Sequence, residues 1–131
     1  ILQFAFDGST NNPYLPNNIK GKNWIVYTGT HDNPTSIGWW KNLDENTKRL
    51  VEKTINSEVS SPGWQLLELA LSTDAVLVIA PLQDLLELGD EARFNTPGTV
   101  EMNWTWRLSG SDIDLRKALK KFGEKASIHA R

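Results

Sequence analysis

The 131-residue sequence contains no cysteine, which excludes disulfides, thiolate metal ligands and cysteine nucleophiles. Histidine is nearly as scarce. His31 and His129 are the only two, and neither H-x-x-x-H nor H-E-x-x-H spacing occurs, so no metal site is expected. Neither sign of charge dominates: 14 Lys and Arg stand against 16 Asp and Glu, for a net charge of −2. Without a basic stripe, a nucleic-acid partner has no electrostatic basis. No apolar run approaches the ~20 residues of a membrane span, and no signal-peptide pattern opens the chain, so no membrane partner is expected. The G-x-G-x-x-G and P-loop patterns are absent, as is the G-x-S-x-G nucleophile elbow. A nucleotide cofactor and a serine triad are therefore not expected.

What remains is a globular composition, 39% hydrophobic and 23% charged, with six Trp among its twelve aromatic residues. The length suits one domain but is short for an α/β barrel, which takes ~250 residues. The chain opens Ile-Leu-Gln rather than with Met, and we expect it to be part of a longer protein. Three apolar runs are expected as strands: 1–6 (ILQFAF), 24–27 (WIVY) and 75–80 (AVLVIA). The third has no polar alternation, which predicts a strand buried on both faces, as in a parallel sheet. Each run passes directly into polar, turn-forming residues, the position where α/β folds carry their chemistry.

Residues 7–23, with two Pro and no helical period, read as one long loop. A helix is expected from Leu43, with Leu50, Val51 and Ile55 on one face and Asp44 and Glu45 near its start. A second follows Ser61-Pro62, a cap followed by Pro at the first helical position. The last opens at Ser111, keeps Leu115, Ala118, Leu119 and Phe122 on one face, and is expected to stop at Gly123. Strand, helices and strand in that order make a right-handed crossover.

Two stretches carry candidate chemistry. In 27–40 (YTGTHDNPTSIGWW), His31 and Asp32 follow a strand, and a carboxylate there can grip sugar hydroxyls or balance a cationic transition state. The plainer alternative is that Asp32 or Asn33 caps a helix begun by Pro34. In 80–98 (APLQDLLELGDEARFNTPG), Asp84 and Arg93 are expected to pair and pin the loop. Asn95, ahead of Thr-Pro-Gly, offers both a donor and an acceptor, which suits a sugar hydroxyl or a loop contact. Trp39, Trp40, Trp64, Trp104 and Trp106 fit either sugar stacking or the core.

These two stretches, the second extended through NWTWRL at 103–108, closely resemble the C-terminal region of the 4-α-glucanotransferases. That family is also known as amylomaltases or disproportionating enzymes, glycoside hydrolase family 77. Residues 1–18 (ILQFAFDGSTNNPYLPNN) resemble the segment before it. Asn17 and Pro34 depart from the His and Asp that many relatives carry. The resemblance implies an α/β fold: the C-terminal portion of a (β/α)8 TIM barrel, strands six to eight with their helices. It implies a retaining transfer of α-1,4-glucan segments between maltooligosaccharides, with nucleophile and acid/base on earlier strands, upstream of Ile1. Asp32 would be the third acid, acting catalytically on the distorted sugar. His31 and Asn95 would bind the same substrate. No metal or organic cofactor is implied. The implied partners are the glucans and the N-terminal part of the same enzyme, in the cytoplasm or a plant plastid. Two other readings stay open: an α-amylase-type hydrolase, and a Trp-rich carbohydrate-binding module of β-sandwich type.

Overall fold

The computed structural model describes residues 1–110 and 112–129. Its sheet has two parallel strands, β1 (Ile25–Tyr27) and β2 (Leu77–Ile79), paired in the register Ile25 to Leu77, Val26 to Val78 and Tyr27 to Ile79. The ladder extends one bond beyond each end, with Val76 N–H donating to Trp24 O and Thr28 N–H to Ile79 O. Between the strands run α1 (Ser36–Asn42), α2 (Glu45–Ile55) and α3 (Pro62–Leu71). After β2 come the single-turn helix α4 (Leu82–Leu85) and the long α5 (Asp112–Ile128). A parallel pair wrapped by helices is not a β-sandwich, which removes the binding-module reading. Among the described residues no helix is long and apolar enough to cross a membrane.

Local chemistry explains most of these boundaries. The Asp44 carboxylate accepts from Asn46 N–H at 2.9 Å and Thr47 N–H at 3.1 Å, capping α2. Asn56 ends that helix in the left-handed region, at φ 59°. Pro62 occupies the first turn of α3, where its missing N–H is harmless. Helix α3 is the hub of the core and packs against α1, α4 and α5. Its Leu66, Leu67 and Ala70 are fully buried with Leu2, Val26 and Val51. Gly63 permits the closest approach: a Cβ there would lie 2.3 Å from the Asp84 carbonyl oxygen.

The structure corrects four expectations. Residues 1–6 are not a strand. Leu2–Phe4 form a 3-10 turn closed by Phe4 N–H to Ile1 O and Ala5 N–H to Leu2 O. A strand needs a neighbour for its backbone groups, and this segment satisfies them locally. The run at 75–80 is not buried on both faces: Ala75 and Val78 are buried, whereas Leu77, Ile79 and Val76 are exposed, Val76 by 64%. Gly123 does not stop α5, which continues to Ile128. The helix beyond Gly123 is held by the Lys125–Glu68 ion pair, one turn after Lys121 sets its ammonium 3.9 Å over the Trp64 ring. Ser111, the expected cap, lies outside the described residues. Finally, Asp84 and Arg93 do not pair, because each is engaged elsewhere.

Asp84 is 2% exposed and joins the two strand ends. Its Oδ2 accepts from Thr28 Oγ1 at 2.7 Å and from Ser36 Oγ at 2.8 Å, while Oδ1 accepts from Ser36 N–H at 2.8 Å. Thr28 follows β1, Ser36 opens α1, and Asp84 lies in α4 just after β2. Burial pushes the Asp84 carboxyl above its ordinary 3.8, against the pull of the Ser36 N–H and the two hydroxyls.

Asp84→Ala leaves the buried Ser36 N–H without an acceptor and is expected to cost about 2–4 kcal/mol in urea unfolding of the chain. Asp84→Asn retains an acceptor, and the Thr28 and Ser36 hydroxyls can turn to accept from its amide, so its loss should be about half as large or less. The folded carboxyl holds its proton more tightly than the unfolded one. Its contribution to stability is therefore full below 3.8 and declines as pH rises to the raised value. The deficit of Asp84→Asn against wild type should shrink over that range and then level off. A deficit that grows with pH would contradict the assignment.

Candidate active-site loop

The residues singled out after β1 sit on a turn that is tied down at both ends. Asn33 Oδ1 accepts from Thr30 N–H at 2.9 Å and Thr30 Oγ1 at 2.7 Å. Asn33 N–H returns a bond to Thr30 O, so His31 and Asp32 ride on the tip of a closed turn. Gly29 is needed beneath it, since a Cβ there would lie 2.7 Å from Gln3 Nε2, which donates to Pro34 O. Neither Asp32 nor Asn33 caps the next helix. Thr35 does, its hydroxyl accepting from Gly38 N–H at 3.2 Å. Thr35 N–H in turn donates to Asp90 Oδ1 at 3.0 Å.

The segment after β2 crosses to meet this turn. Asn95 Nδ2 donates to Asp32 Oδ1 at 2.6 Å, across 63 residues of sequence. His31 Nε2 lies 3.3 Å from the same oxygen. Asp32 Oδ2 accepts no hydrogen bond among the described residues, and the carboxylate is half exposed. The three residues nominated from sequence therefore share one surface. Arg93 turns toward the same place, with Nη2 donating to Asp32 O at 2.7 Å and Nε to Asn95 O at 2.8 Å.

An aromatic group flanks the turn. The His31 and Trp104 rings are 5.0 Å apart, and Phe94 lies 6.1 Å from Trp104 and 5.4 Å from Trp106. Trp104 is 54% exposed and adopts φ 62°, a conformation unusual for a bulky side chain, with its N–H donated to Phe94 O. The other candidate tryptophans face inward. Trp39 packs on Phe6 at 5.7 Å and Trp64 is buried in the core, while Trp40 is half-buried beneath Lys48. A cavity of about 130 Å³ opens beside the turn, lined by Thr30, His31, Thr35, Gln83, Arg93 and Phe94. Gln83 donates to Ala92 O, and its buried Oε1 has no partner among the described residues. Among those residues, no group of three His, Asp or Glu is placed to hold a metal ion.

The loops that carry this site are matched in known proteins. A family model described as 4-alpha-glucanotransferase covers residues 1–114. The chain belongs to the 4-alpha-glucanotransferase family. A 4-alpha-glucanotransferase of Synechocystis sp. is 46% identical over 109 residues, 82% of this chain and 21% of that protein. One from Thermus thermophilus is 41% identical over 121 residues, 86% of this chain and 24% of that protein. A chloroplastic/amyloplastic member from Arabidopsis thaliana is 44% identical over 112 residues, 85% of this chain and 19% of that protein. Among solved structures, an amylomaltase from Streptococcus agalactiae in complex with acarbose superimposes with a TM-score of 0.90 at 32% identity. That match takes in 100% of this chain and 26% of the amylomaltase. The chain thus shares the fold of that enzyme over its own length, and spans about a fifth to a quarter of the length of its relatives.

Sequence reasoning found the three polar residues on the shared surface but not what surrounds them. Arg93 was expected to meet Asp84. The Trp104 contact has no linear signal, because it depends on the 95–103 turn folding back. That turn is built by Asn103, whose Oδ1 accepts from Thr96 N–H and whose Nδ2 donates to Thr99 O.

The Asn95–Asp32 contact makes a direct prediction. Asn95→Asp sets two carboxylates 2.6 Å apart, where both cannot be ionised together. One carboxyl of the pair should titrate above the usual carboxylate range in carbon-13 NMR of the labelled side chains. Two ordinary titrations would mean that the two loops are apart in solution.

Proposed function

We propose that this chain works as the closing part of a 4-α-glucanotransferase barrel, contributing its sixth, seventh and eighth strand regions, with Asp32 as the acid that acts on the reacting sugar. The observation that carries this reading is the meeting of Asp32, His31 and Asn95 on one surface, supported by the family match over residues 1–114. The strand assignment to 1–6 rests on the resemblance alone, since that segment is a 3-10 turn here.

On this reading the substrates are α-1,4-glucans and maltooligosaccharides, in line with the bound acarbose of the S. agalactiae amylomaltase. The rest of the longer enzyme is the partner. It covers the exposed apolar face of Trp24, Ile25, Leu77 and Ile79 and supplies the nucleophile and the acid/base. Retaining transfer requires those two carboxyl groups about 5–5.5 Å apart. The location is the cytoplasm, or a plastid as in the chloroplastic/amyloplastic relatives.

The geometry suggests how the work is divided. Asp32 Oδ1 is occupied by Asn95 and His31, which fix the plane of the carboxylate, and Oδ2 is left to accept sugar hydroxyls. As the ring flattens and gains positive charge, hydroxyls beside it become better donors, and their bonds to a carboxylate strengthen. Interactions that strengthen in the transition state raise turnover rather than affinity. Asn95 can donate to one sugar oxygen while its carbonyl accepts from a hydroxyl, and the His31 ring can donate through nitrogen.

Two outcomes test this reading. The isolated 131-residue chain should leave maltotriose unchanged, because the covalent step needs the two carboxyls outside it. Formation of glucose and longer chains by the purified piece would refute the assignment. In the complete enzyme, Asp32→Asn should lower kcat by about 100-fold or more with a much smaller change in KM. A variant with near-normal kcat and a raised KM would make Asp32 a ground-state binding group only.

A further inference from the structure

The Arg93 guanidinium touches both loops of the site, while its expected partner, Asp84, is saturated by Thr28 and Ser36. Arg93 instead spends its N–H groups on two backbone carbonyls, Asp32 O at 2.7 Å and Asn95 O at 2.8 Å. A guanidinium is planar and its N–H directions are fixed, so binding two acceptors at once sets their separation. Bonds from a charged donor are also stronger than neutral ones, roughly twofold.

This arrangement differs in kind from the Asn95–Asp32 side-chain bond. That bond joins two side chains that, on the functional reading above, also engage the substrate with their remaining polar atoms. The Arg93 bonds go to main-chain oxygens of the same two residues, so they do not use the side-chain groups that a sugar would engage. We propose that Arg93 is a positioning residue of the transferase reaction, holding Asp32 and Asn95 at a constant spacing while their side chains engage substrate hydroxyls. The proposal rests on the functional reading above. Misplacing a reacting group by about 1 Å can cost on the order of 100-fold in rate, so a main-chain clamp of this kind acts on turnover.

The test uses the complete transferase carrying this segment, with maltotriose as substrate and glucose release as readout. The wild-type enzyme must be active, and if it is not, the transferase reading fails and takes the proposal with it. Given activity, Arg93→Ala is expected to lower kcat about 10- to 100-fold while KM stays within about threefold and the melting temperature within a few degrees. Arg93→Lys keeps the charge but not the fork, and should recover only part of the loss. An Arg93→Ala enzyme with kcat within twofold of wild type overturns the proposal. So does a loss of rate that is matched by a fall in melting temperature, or one that appears only in KM. Should Arg93→Ala fail to fold, Arg93→Lys decides. A kcat at least threefold lower at unchanged melting temperature supports the clamp, and wild-type kinetics overturn it.

Discussion

One buried carboxylate determines where the loops of this chain can go. Among the described residues Asp84 makes no ion pair. Its charge is balanced by the Ser36 N–H, at the start of α1, and by the hydroxyls of Thr28 and Ser36. Such a group is costly to bury unless every partner is in place, and so it selects a single arrangement of the segments that supply them. Those segments are the end of β1, the start of α1 and the turn after β2. The His31–Asp32 tip is suspended between the first two, so its position follows from a contact it does not itself make. Asp90 repeats the device one step further along, accepting from Thr35 N–H.

The chain thereby separates holding from acting. The groups that hold are buried: Thr28 and Ser36 are fully enclosed, and Asp84 nearly so. The groups that face solvent, His31 and Asp32, are each about half exposed, and the Asp32 carboxylate keeps Oδ2 with capacity to spare. Arg93 lies between these two sets, half-buried and directed at main chain. The exposed Trp104 beside His31 belongs to the outer set, and its strained backbone marks a position determined by the surroundings rather than by local preference.

Much of this was legible in the residues themselves. WIVY and AVLVIA announce strands by composition, and Asp44, Ser61-Pro62 and the spacing of Leu115, Ala118 and Phe122 announce helices. Asp32 and Asn95 were nominated because polar residues after buried strands are where such folds keep their chemistry, and the family resemblance sharpened the choice. What escaped was whatever depends on a distant partner. Residues 1–6 look like a strand because short apolar runs usually find one to pair with, yet they close on themselves. Gly123 looks like a stop, yet packing of α5 against α3 outweighs the ~1 kcal/mol preference against glycine. Asp84 and Arg93 looked like a pair because opposite charges nine residues apart are usually read so. Nothing in the linear sequence says that two hydroxyls and an amide some fifty residues away already satisfy the acid.

The span of the Thr28–Asp84 bond has a kinetic side. It closes a loop of 56 residues, and the Asn95–Asp32 bond closes one of 63. The strands it ties together are themselves parallel and far apart in sequence, so their pairing cannot nucleate from a hairpin. Contacts of this kind form slowly, because the entropy of closing the loop precedes any return from the contacts. Helices α1 to α3 must collapse first and bring the two strand ends within reach. The site is then among the last features to assemble on the folding path, and until it does, the apolar edges of both strands stand open to any other chain nearby.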